Sequence, residues 1–87
     1  MMEKEIGFIK HYFSKIGVGV IEITNGTLKV GDTIHVKGAT SDFTQKVESM
    51  QIEHDKVEEA KKDQSIGLKV SEHVREHDKV FKVFIEE

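Results

Sequence analysis

At 87 residues the chain has room for one domain with one modest core, and none for a separate catalytic domain. Thirteen Lys and Arg against sixteen Asp and Glu give a net charge of −3, which lacks the basic excess of a phosphate-backbone binder. The absence of cysteine excludes disulfides, thiolate zinc sites and thiol nucleophiles.

The start, Met1-Met2-Glu3-Lys4-Glu5, has acids where a signal peptide has basic residues. No run approaches the roughly 20 apolar residues that span a bilayer. A soluble, cytoplasmic protein with no membrane contact is therefore expected. Charge is uneven along the chain: residues 1–40 carry five Lys against four acids, and residues 41–87 eight basic residues against twelve acids. A surface facing a polyanion would belong to the first part.

Apolar residues mostly alternate or fall in short runs, and the candidate segments are rich in β-branched residues, so the chain reads as all-β. In chain order the predicted strands are residues 6–12, 16–23, 33–37, 43–54, 66–70 and 79–85. Two change phase partway. Val18 and Val20 give way to Ile21 and Ile23, and Phe43 and Val47 give way to Met50 and Ile52. A phase change implies a bulge or bend, and long bent strands serve two sides of a small closed barrel. Gly26, Gly31 and Gly38 read as turn positions with positive φ. Residues 56–63 are the one helix candidate, and a short turn before Ile66 is the better reading. The expected core includes Val20, Ile34, Val36, Met50, Ile52, Ile66, Leu68 and Val83.

The tetrapeptide His-Asp-Lys-Val occurs at residues 54–57 and 77–80. It reads as one turn chemistry used twice, with Asp capping backbone N–H groups. Gly26 and Gly31 have the spacing of a P-loop, but Asp32 stands where its Lys would be, and a strand follows instead of a helix. No nucleotide or other cofactor is expected. His73 and His77 are four apart beside Glu72, Glu76 and Asp78. That spacing aligns two imidazoles only on a helix, so a solvated turn is expected there and no metal. His11, His35 and His54 lie on different strands or turns and read as ordinary surface residues. No nucleophile, base and acid converge in the sequence, and the chain is expected to be non-enzymatic. The one cluster suited to a partner is Lys10, Tyr12, Phe13 and Lys15, where aromatic and basic groups meet at a strand end.

In order, these segments resemble the second domain of translational GTPases, the six-stranded barrel of elongation factor Tu. The likeness rests on Gly26-Thr27-Leu28-Lys29-Val30-Gly31-Asp32-Thr33-Ile34. Val47-Glu48-Ser49-Met50, Val57-Glu58-Glu59-Ala60 leading to Asp63 and Ile66-Gly67-Leu68, and Val74-Arg75 leading to Asp78-Lys79-Val80-Phe81 add to it. It implies one closed six-stranded β-barrel over residues 1–87, without GTPase motifs. It also implies a binding module that contacts RNA, the ribosome or a protein in a translation or RNA-modification setting. The alternative is a structural or regulatory protein-interaction subunit without RNA contact. The family has Gly where this chain has Lys62 and His77, so both turns are expected to be built differently. Arginines near the aminoacyl end of tRNA are replaced by Glu22 and Asn25.

Overall fold

Alternating β-branched residues fold into ten strands in a computed structural model that describes residues 2–84. In chain order these are β1 (Met2–Phe13), β2 (Val18–Ile23), β3 (Thr27–Lys29), β4 (Thr33–Lys37) and β5 (Asp42–Lys46). They continue as β6 (Met50–Ile52), β7 (Asp55–Val57), β8 (Glu59–Lys61), β9 (Ser65–Lys69) and β10 (Lys79–Phe84). Eight form an antiparallel sheet in the order β5-β4-β10-β1-β2-β9-β6-β7, and β3 pairs with β8. The all-β class holds. The closed six-stranded barrel is not found, because the ladder is open with β5 and β7 at its edges. Its cause lies at residues 47–49. The predicted strand 43–54 is two strands, β5 and β6, because Val47 turns away between them to bond the backbone of Gly31 and Asp32.

Bends place the core. β2 alternates without a phase change, burying Gly19, Ile21 and Ile23, so Val20 is only half-buried. The irregularities lie in β1, between Glu5 and Gly7 against β10 and between Ile9 and His11 against β2. The first resets the parity of the strand, so that Ile6 and Ile9, three apart, are both fully buried. Ile34, Val36, Met50, Ile66, Leu68 and Val83 are buried as expected, while Ile52 packs only partly against the core. Residues 56–63 form neither helix nor simple turn. They make β7 and β8, with a bend at Glu58 that lets both Val57 and Ala60 reach the core. Residue 85, the end of the last predicted strand, lies outside the described residues.

Three turns share one construction. In Lys29-Val30-Gly31-Asp32, Lys61-Lys62-Asp63-Gln64 and Arg75-Glu76-His77-Asp78, the fourth N–H donates to the first carbonyl at 3.0–3.1 Å. The fourth side chain accepts the first N–H at 2.8, 2.7 and 2.9 Å. The third residue has positive φ: 99° at Gly31, 73° at Asp63 and 76° at His77. So the turn at His77 is not built differently for lack of Gly; His77 takes the left-handed backbone itself. At the other turn the left-handed residue is Asp63, not Lys62. Gly38, in contrast, is not left-handed. It is Gly because a Cβ there would overlap the Asp78 carboxylate. The two His-Asp-Lys-Val copies differ as well. Asp78 caps the Arg75 N–H, whereas Asp55 pairs with Ile52 across the two-residue turn Glu53-His54, both at positive φ as in a type I′ hairpin.

Replacing Leu68 by Ala should lower stability by about 2–5 kcal/mol in urea melts, since the residue is buried in the shared core. His77→Gly should raise it by about 0.5–1 kcal/mol, because left-handed strain at an exposed side chain is removed.

Candidate functional site

The β1–β2 hairpin carries the four residues singled out by sequence. Phe13 pairs with Val18, and Ser14, Lys15, Ile16 and Gly17 make the loop. Tyr12 packs partly against the core and meets the His73 ring edge to face, with centroids 4.7 Å apart. Phe13 is 48% and Ile16 60% exposed, and Phe13 leans on the His11 ring. Lys10 lies 3.8 Å from Glu22 on the neighbouring strand, while Lys15 is exposed at the tip. One ring thus closes the end of the core and the other, with Ile16, stands in solvent beside a cation. His73 is occupied by Tyr12, and His77 donates its backbone N–H to Ile9.

A second cluster has no sequence signature. His35 on β4 is held between two carboxylates, its Nδ1 3.0 Å from Glu3 on β1 and its Nε2 2.5 Å from Asp42 on β5. Alternation in Thr33-Ile34-His35-Val36-Lys37 put His35 on the outer face, but nothing local could bring Glu3 beside it. An imidazole donating from both nitrogens is the protonated form. The hydrogen bond to Asp42, then that to Glu3, raises the pKa of His35 above its usual 6.5, and the same bond holds the Asp42 carboxyl below its usual range.

The third feature is a seam between β5 and β9. Gln45 crosses it, its amide nitrogen donating to the Lys69 carbonyl at 2.8 Å and its oxygen accepting the Ser71 N–H at 2.8 Å. Around this bridge Gln45, Lys46, Glu48, Ser49, Lys69 and Ser71 line a groove of about 420 Å³. A second hollow, of about 320 Å³, adjoins it through Ser49 and Lys69 and runs toward Ile16. The sequence reading missed this groove, since it arises only where Val47 leaves the β6–β9 register. Among the described residues no group of three or more His, Cys, Asp or Glu could hold a metal ion.

Stability from the His35 cluster should fall at both ends of the pH scale. A raised His pKa contributes fully below pH 6.5 and is lost as pH rises through the raised value. A lowered Asp42 pKa contributes above its unfolded value and is lost as pH falls through the lowered one. Urea midpoints should therefore decline in the parent as pH climbs past 6.5, and His35→Asn should flatten that decline.

No protein-family model matches the chain. It is 42% identical over 78 residues to an uncharacterized protease of Methanocaldococcus jannaschii, covering 88% of this chain and 19% of that protein. It is 43% identical over 72 residues to a collagenase of Porphyromonas gingivalis, covering 82% of this chain and 20% of that protein. The chain thus spans about a fifth of the length of the curated relatives it matches. In fold it is similar to the C-terminal domain of a Geobacillus thermoleovorans protein assigned to the U32 peptidases. The TM-score is 0.86 at 19% identity, over 93% of each chain. These findings overturn the likeness to the elongation factor Tu barrel, and with it the translation-related RNA or ribosome-binding reading. That likeness rested on glycine-punctuated turns that many small β-folds share. In sequence the chain is similar to one fifth of proteins named for proteolysis, and in fold to the terminal domain of a U32 peptidase.

Proposed function

We propose that the chain is the accessory domain of a peptidase-type protein, one that holds polypeptide beside a cleaving domain and does not itself cut it. The observation that carries this reading is the confinement of the similarity to about a fifth of relatives named protease and collagenase. The fold match to a U32 peptidase's C-terminal domain supports it independently. The chemistry of His35 agrees: with a carboxylate on each nitrogen, the ring has no lone pair left to accept a proton as a general base. Its cluster ties β1, β4 and β5 together.

Lys10, Tyr12, Phe13 and Lys15 are, on this proposal, the contact with the remainder of such a protein. Phe13 and Ile16 offer apolar area and Lys15 a cationic rim, the composition of a small docking surface. The purified chain should bind unfolded, carboxymethylated casein in biolayer interferometry and release no fragments from it or from gelatin. Fragment release above the blank would sink the non-cleaving role, and absence of any casein binding would sink the polypeptide-holding one. Phe13→Ala should weaken capture of the cleaving part of the M. jannaschii relative about tenfold, as loss of a buried aromatic anchor does. Equal capture by parent and variant would remove the hairpin from that contact.

A further inference from the structure

The seam beside Gln45 is a strand-shaped vacancy in the ladder. β6 and β9 meet at Gln51 and Gly67. Continued in the same antiparallel register, Ser49 would face Lys69 and Val47 would face Ser71. Neither pairing forms, because Val47 donates its N–H to Asp32 and accepts from Gly31 on the other side. Lys69 C=O and Ser71 N–H are left pointing into the groove, where the Gln45 side-chain amide satisfies both. One amide bonded to the carbonyl of one residue and the N–H two residues on is the pattern by which a single residue of a parallel strand addresses its neighbour. Gln45 is therefore a stand-in for backbone, held by a side chain that can swing away.

The geometry points to a site for an extended polypeptide segment, which adds as a short strand along Lys69–Ser71 and displaces the Gln45 amide. This deepens the polypeptide-holding role proposed above and rests on it. Recognition would be through backbone hydrogen bonds, so it would be tolerant of sequence, as strand addition generally is. The walls add a bias. Lys46 and Lys69 line the groove against the single acid Glu48. An acidic side chain in the added segment would be favoured there.

The test uses a capped pentapeptide, acetyl-Thr-Val-Asp-Val-Thr-amide, a copy N-methylated at alternate residues, and a copy with Lys for Asp. The parent peptide should bind the 87-residue protein and slow exchange of the Ser71 amide. The N-methylated copy should bind at least tenfold more weakly, since it cannot pair along one edge. The Lys copy should also bind more weakly. Gln45→Ala should bind the parent peptide about three- to tenfold more tightly, because a competing pair of hydrogen bonds is gone. Equal binding of the N-methylated copy, or unchanged or weaker binding by Gln45→Ala, would overturn the strand site. Casein binding with no pentapeptide effect at Ser71 would overturn the site while leaving the accessory role standing. Loss of casein binding as well would remove both. The N-methylated comparison is made on the unaltered protein, so it decides the matter even where Gln45→Ala folds poorly.

Discussion

Everything in this sheet follows from how β1 is shared. Its first residues pair with β10 and its last with β2, Gly7 and Phe8 pair with both, and the irregularity between Glu5 and Gly7 turns the strand's inner face partway along. Ile6 and Ile9 can then both reach one core although a straight strand would send them to opposite faces. The sheet on either side is carried round that core by the same bend. Wrapping without closing leaves two edges. One of them, β5, is tied to the backbone of β9 by the Gln45 side chain and to Glu3 on β1 through Asp42 and His35.

The three matching turns do the complementary work of fixing where strands stop. Each saturates both backbone groups of its first residue within four residues, so no long loop is needed between β3 and β4, β8 and β9, or the last connection and β10. Only one of the three uses Gly at the left-handed position. The other two place Asp63 and His77 there, which shows the capping geometry to be strong enough to impose a backbone conformation that costs about 1–2 kcal/mol for a non-Gly residue.

The legible part of the molecule was what depends on neighbours in sequence. Alternation located β4, β9 and β10 closely, and the β-branched runs gave most of the core. Gly26, Gly31 and Gly38 all sit in turns as expected, but only the first two need positive φ; at Gly38 the requirement for glycine comes from Asp78, forty residues away. β3, β7 and β8, at three residues each, are too short to show a period. Residues 47–49 look like strand in sequence and depart from it only because Gly31 and Asp32 offer Val47 better partners. Of the features that bear on function, the exposed Phe13 beside Lys15 could be seen in the sequence. The His35 cluster and the Gln45 seam could not, since each is assembled from residues on separate strands. The resemblance to a translation-factor barrel failed for a related reason. Turn glycines and a Val-Gly-Asp step report how β-strands are connected, and say little about what the folded surface does.

Because the long first strand lies between β2 and β10, its opening residues have no main-chain partner until the last strand exists. On a ribosome the domain would remain incomplete through synthesis of nearly all of it, with Met2 to Glu5 lacking their strand partner. Completion would then come in one late step as Lys79–Phe84 emerges and docks. Without proline, no slow isomerisation delays that step, so its pace is set by how quickly two distant segments find each other.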